Sequence, residues 1–204
     1  MFVSWRGDGG LWAQCLFARW KICKWPDLEK AIVKVLETFN NVENLRAGQR
    51  DGIANFIRRH DVLAVLPTGF RKSLLFQFIP GLCVELHNLG YSYYPKSPIV
   101  FVICENALIK CQMKQSEHRQ ISCTCLSGKD ADHDDAFAGR YSFIFANPEA
   151  LILNEMWRKM LQTPVYQKNL FGIAADEAHV ILKWYWGRYF SFTSYQLERI
   201  GSRN

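Results

Sequence analysis

The sequence predicts an α/β fold in which a central parallel sheet is flanked by helices, and three observations carry that prediction. Short apolar runs alternate with segments of helical periodicity along most of the 204 residues. The first of the buried runs ends in a small-residue turn followed by Lys-Ser, in DVLAVLPTGFRKS at residues 61 to 73. The last run, Leu170 to Ala175, leads directly into the carboxylates of DEAH at residues 176 to 179. In sheets built from strand, helix and parallel strand, ligands bind beyond the carboxyl ends of the strands. The small-residue turn and DEAH are both expected on that edge.

Each element has its own justification. From Asp27, read as an N-cap, Leu28, Ala31, Ile32, Val35, Leu36 and Phe39 recur at helical spacing. Asn40 and Asn41 break the pattern, and a second helix is expected from about Ala47 to Arg59, with Ile53, Phe56 and Ile57 facing inward. Val62 to Leu66 reads as a buried strand. Leu74, Leu75, Phe78, Ile79, Leu82 and Leu86 then read as a helix interrupted at Pro80. The Gly, Ser and Pro content of NLGYSYYPKSP marks a loop before a strand at Ile99 to Ile103, and a helix follows from Asn106 to His118. Further strands are expected at Ile121 to Leu126 and Tyr141 to Ala146, with a surface loop or short helix in the acidic stretch between them. A helix from Pro148 to Leu161 precedes the last strand.

Bulk composition narrows the class. At about 150 residues per domain the length implies one domain or slightly more, and no apolar run approaches the ~20 residues of a membrane helix. Lys and Arg number 25 against 19 Asp and Glu, a net charge of +6 that favours polyanionic partners. The seven cysteines lack paired CxxC spacing and suit a reduced intracellular compartment better than a zinc site or a disulfide scaffold. Residues 1 to 26, with Trp5, Trp12, Trp20 and Trp25 among Arg and Lys, lack a signal peptide's apolar region and show no element of a fold.

The chemistry centres on residues 66 to 73. A buried strand, a tight turn and a new helix present backbone N–H groups and a positive helix end to an anion, for which phosphate is the leading candidate. Against the pattern GxxxxGK[ST], Leu66 stands at the first glycine and Arg71 at the second.

Together with three other segments, this stretch resembles the first RecA-like domain of superfamily 2 helicases, and within them the RecQ family of DNA helicases. The likeness runs from about Leu36 to Gly187. LRAGQRDGI at 45 to 53 is similar to the family's adenine-reading segment, LPTGFRKSLLFQFIPGL to its motif I, ANPEAL at 146 to 151 to its TPE segment, and AADEAHVILKW at 174 to 184 to motif II and the aromatic-rich loop. The resemblance implies a RecA-like P-loop NTPase domain at 27 to 187, between an extension at 1 to 26 and a remnant at 188 to 204.

By the same resemblance, Gln49 reads adenine through its amide, and Pro67, Thr68, Gly69, Phe70, Arg71, Lys72 and Ser73 cradle the phosphates of ATP. Lys72 holds the β and γ phosphates, and Ser73 and Asp176 hold Mg2+. Glu177 orients the attacking water. His179 couples the ATP site to nucleic acid, and Trp184 and Trp186 stack on single-stranded DNA. The implied activity is ATP-dependent unwinding in the 3′ to 5′ direction in the nucleus, which would need a second RecA-like domain that is not expected within these residues. Arg71 adds a Cβ and a cation to a crowded turn, so two readings stay open at this point: an ATP-hydrolysing helicase domain, and a non-catalytic nucleotide- or DNA-binding remnant. Cys104, Glu105 and Asn147 also depart from the family pattern. A P-loop kinase or GTPase gives no reason for DEAH or for the Gln49 segment.

Overall fold

The computed structural model describes residues 2 to 4, 23 to 39, 42 to 67, 69 to 126 and 133 to 176, with backbone alone at 2 to 4 and 151 to 153. Helix α1, Trp25–Leu36, buries Leu28, Ala31, Ile32 and Val35 along one face. Its N-cap is Lys24 rather than the expected Asp27, because Pro26 fits the first turn, where an amide donor is not needed. The Asp27 carboxylate instead accepts the Tyr91 hydroxyl at 2.7 Å. Helix α2, Ala47–Ile57, turns Ile53, Phe56 and Ile57 inward as expected.

After α2 the chain departs from the expected buried strand. Strand β2 is only Val62–Leu63, and Leu63 and Val65 are 65% and 87% exposed. The strand lies at the end of the sheet and has a neighbour on one side alone. Beyond the turn, helix α3, Leu74–Gln77, is separated from α4, Ile79–Asn88. The break falls at Phe78, just before the expected Pro80, whose ring has no N–H for the carbonyl four residues back.

Strand β3, Ile99–Ile103, and helix α5, Asn106–His118, have the expected bounds. Strand β4, Cys123–Cys125, is shorter than expected, and the short helix α6, His133–Phe137, follows it. Strand β5, Phe143–Ala146, leads to two helices where one was expected. These are α7, Pro148–Leu153, and α8, Glu155–Gln162, divided at Asn154, whose side chain caps the Met156 N–H at 3.0 Å. An unexpected helix, α9, Pro164–Asn169, comes next, and strand β6, Leu170–Ala175, ends the described chain at Asp176.

The sheet order is β2-β1-β6-β3-β5-β4. Strands β6, β3, β5 and β4 are mutually parallel. The strand between β2 and β6 is β1, Phe2–Ser4, which pairs antiparallel with both and comes from a segment where the sequence shows no element. Strand β2 therefore runs in the same sense as β6, and the chain leaves both at one edge. The four parallel strands with helices on both faces are the core of a RecA-like α/β domain.

Side chains alternate between two cores. Val100 and Val102 of β3 and Phe143 and Phe145 of β5 pack with α1 to α5, while Ile99, Phe101, Ile144 and Ala146 pack with Trp157 and Met160 of α8 and Tyr166 of α9. The register of β6 slips by one residue at Phe171. The carbonyl displaced there accepts the Arg59 guanidinium at 2.6 Å, and the cation lies 3.7 Å from the Phe171 ring centroid. Gly172, next along the strand, is where α2 comes closest, since a Cβ there would stand 2.2 Å from Phe56 Cζ. Gly172→Ala is expected to lower stability by about 1–3 kcal/mol through overpacking, measured by urea unfolding.

Candidate functional site

The turn after β2, expected to cradle phosphate, is tight. The Phe70 N–H closes on the Pro67 carbonyl at 3.2 Å, and Gly69 takes φ +81°, the value needed at the third residue of a type II turn. Arg71 takes φ +50°. An L-residue enters this left-handed region at a cost of about 1 kcal/mol, so the backbone keeps a path that a glycine follows freely. The N–H groups of Leu74 and Leu75 then bond to the carbonyls of Arg71 and Lys72, both at 3.0 Å, and the helix grows directly out of the cradle. Ser73 is the N-cap of α3, yet its hydroxyl caps nothing. Among the described residues neither the Ser73 hydroxyl nor the Lys72 ammonium has a side-chain partner, and both stand half-buried at the helix start.

The N-terminal end of α2 anchors this loop. The Gln49 amide nitrogen donates to the Phe70 carbonyl at 2.7 Å, and its oxygen accepts the Arg46 N–H at 3.0 Å. The Arg46 guanidinium covers the Phe70 ring at 4.4 Å. Gln49 is only 3% exposed, so the side chain expected to read adenine is embedded as a brace between α2 and the cradle.

Asp176 comes to the same edge from β6. Its backbone N–H bonds to the Ile103 carbonyl at 2.9 Å, extending the ladder by one residue, and its carboxylate accepts Gln112 Nε2 of α5 at 2.9 Å. Gln112 Oε1 accepts Gln77 Nε2 at 3.3 Å, and Gln77 Oε1 accepts the Arg119 guanidinium. Burial lowers the Arg119 pKa, and the charge of Arg71 lowers it further. Cys104 is buried beside it. Burial pushes its thiol up to about 12, with the Asp176 charge adding to the effect, and it stays a neutral SH.

The structure thus brings Gln49, Pro67, Gly69, Phe70, Arg71, Lys72 and Ser73 together around one loop and joins Asp176 to the helix that follows it. Thr68, Glu177, His179, Trp184 and Trp186 lie outside the described residues. Asn147 caps α7 by accepting the Ala150 N–H at 2.7 Å, and its amide donates to Asn106 at 2.9 Å. The sequence reading passed over Gln77, Gln112 and Arg119. Their signal was available: Gln77 interrupts the apolar run LLFQFI at a position that is 1% exposed.

The donor set fits a magnesium ion. Asp176 and Ser73 offer hard oxygen ligands, and among the described residues no cluster of three or more His, Cys, Asp or Glu forms an all-protein cage. Magnesium characteristically takes one or two protein oxygens and completes its shell with phosphate and water. Among the described residues no helix is long and apolar enough to cross a membrane. Arg71→Gly should raise stability by no more than about 0.5 kcal/mol, because relief of a left-handed strain of about 1 kcal/mol is largely offset by glycine's entropy cost of about 0.5–1 kcal/mol, with chemical denaturation as the measurement.

No protein-family model matches the chain. It is 28% identical over 158 residues to the ATP-dependent DNA helicase Q-like SIM of Arabidopsis thaliana, covering 76% of this chain and 17% of that protein. It is 29% identical over 170 residues to the ATP-dependent DNA helicase RecQ of Haemophilus influenzae, covering 78% of this chain and 25% of the relative. With the rat ATP-dependent DNA helicase Q1 the identity is 25% over 159 residues, 74% of this chain and 24% of the relative. The chain therefore spans about a quarter or less of the length of these curated relatives. Several RecQ-type ATP-dependent DNA helicases are thus similar to about three quarters of this chain, at 25–29% identity.

Proposed function

We propose that this chain is the ATP-binding domain of a RecQ-like 3′ to 5′ DNA helicase, binding ATP with magnesium at the cradle and contacting DNA beside it. One observation carries the reading. The uncommitted Lys72 and Ser73 stand at the start of a helix whose Gln77 is tied through Gln112 to Asp176. Lys72 would lie against the β and γ phosphates, with the cradle N–H groups around them. Ser73 and Asp176 would hold magnesium, which when bound neutralises charge on the phosphates. Glu177 would align the attacking water, His179 would couple the site to DNA, and Trp184 and Trp186 would stack on its bases. Unwinding would require a second RecA-like domain to close on the nucleotide. By resemblance to these helicases, the location would be intracellular, in the nucleus.

A second reading, nucleotide binding without turnover, is favoured by the sheet. Strand β1 separates β2 from β6, so the cradle strand and the Asp176 strand are two strand spacings apart, about 9.6 Å, where direct neighbours stand about 4.8 Å apart. Arg71, a cation in the cradle, would favour tight and unproductive phosphate binding in this reading.

Two measurements on the purified chain separate these readings. Binding of a fluorescent ATP analogue should be magnesium-dependent and fall at least tenfold in Lys72→Ala, the loss of one charge-assisted phosphate contact of about 1.5–3 kcal/mol. Hydrolysis of ATP, raised by single-stranded DNA and abolished in Glu177→Gln, supports the helicase domain. Magnesium-dependent binding with no turnover supports the second reading. Arg71→Gly is expected to raise hydrolysis, and equal rates in the two proteins would count against Arg71 as the brake.

A further inference from the structure

We propose that Gln112 is a positioning residue that fixes the Asp176 carboxylate for a divalent cation, and that Arg119, acting through Gln77, dictates which way Gln112 points. This inference rests on the nucleotide-site reading above. Four side chains form one hydrogen-bonded series in which Arg119 donates to Gln77 Oε1, Gln77 Nε2 donates to Gln112 Oε1 at 3.3 Å, and Gln112 Nε2 donates to Asp176 Oδ2 at 2.9 Å.

Polarity is the important property. A primary amide has a donor end and an acceptor end of almost the same shape, so a glutamine alone can flip with little steric penalty. A guanidinium can only donate and a carboxylate can only accept. Arg119 therefore requires the oxygen of Gln77, which leaves the Gln77 amino group for the oxygen of Gln112. That in turn leaves the Gln112 amino group for Asp176. Reversal of either amide would set oxygen against oxygen on one side and N–H against N–H on the other, in a site where Gln77, Gln112 and Asp176 are 1%, 8% and 9% exposed. Gln77 Nε2 also reaches Gln115 Oε1 at 3.4 Å, a second acceptor that favours the same orientation. The Arg119 guanidinium is itself held in place, 4.7 Å over the Phe39 ring.

The series joins elements that the sheet keeps apart. Gln77 lies one helical turn beyond Ser73, and Gln112 sits on α5, between that helix and the end of β6. Asp176 is thereby oriented relative to the cradle through side chains, although β1 intervenes between β2 and β6.

The test measures the magnesium requirement for binding a fluorescent ATP analogue to the full chain, alongside its thermal unfolding. Gln112→Leu, which keeps the volume and removes the donor, should raise the magnesium concentration giving half-maximal binding by about tenfold, the usual effect of removing an outer-shell partner of a metal ligand. The loss should be confined to the metal-dependent part of binding. Arg119→Met should move the requirement in the same direction, Arg119→Lys should restore it in part because ammonium also only donates, and Gln112→Leu combined with Arg119→Met should be no worse than Gln112→Leu alone. A lowered melting temperature with an unchanged magnesium requirement in Gln112→Leu would overturn the proposal and leave a packing role. If the unsubstituted chain binds the analogue without any magnesium dependence, the nucleotide-site reading itself fails. The two failures are therefore distinguishable.

Discussion

The pairing of β3 with β6 on one side and β5 on the other is the constraint on which the rest of this molecule depends. These are the longest strands of the sheet, and β3 is buried on both faces, so its register fixes where α2, α5 and α8 can lie. Parallel pairing also sends every carboxyl end the same way. Cys104, Asn147 and Asp176 arrive together at one edge because the N–H of Cys104 bonds to Ala146 and that of Asp176 to Ile103, carrying each ladder one residue past its strand. A site built on that edge inherits the rigidity of the sheet.

The cradle hangs on this scaffold by different means. Its own strand is two residues long and touches the sheet only through β1. What places the loop is therefore α2, through Gln49 and Arg46 on Phe70, and the helices that follow Ser73, whose apolar side chains from Leu74 to Leu82 run into the larger core. Gly52 lets α2 approach α3 closely, since a Cβ there would stand 2.7 Å from Leu75 Cδ2. The loop is thus clamped between two helices more firmly than it is hung from its strand. Side-chain amides take over positioning that strand pairing supplies elsewhere.

Much of this was legible in the sequence, for reasons that differ by element. Strands β3 and β6 are short apolar runs bounded by Pro98 and Asp176, and their length and flanking residues favour a buried strand over a helix. Helix α5 is bounded by a strand and a change of period. The failures came where pairing partners decide the outcome. Val62 to Leu66 has the composition of a buried strand, but burial depends on neighbours, and β2 has only β1 beside it. Phe2–Ser4 carries no periodic signal at all, because three residues are too few to show one. Lys72, Ser73 and Asp176 could be named from the sequence because the proposed chemistry demands particular residue types. Gln49 was legible as important, yet its placement as a brace follows from the N–H of Arg46 and the carbonyl of Phe70, groups that a sequence does not display.

The choice of glutamines around Asp176 has a physical logic. An arginine or lysine in the place of Gln112 would pair with the carboxylate in full, neutralise it and occupy the oxygens that a cation needs. A neutral amide supplies a hydrogen bond and leaves the negative charge intact. Its weakness is rotational ambiguity, which is removed by ending the series on a group that has no acceptor. Arg119 does this from a distance, with two amides between its charge and the carboxylate, and so does not compete for the carboxylate oxygens. Arg71 is exposed, and its charge adds to the effect of burial in lowering the Arg119 pKa.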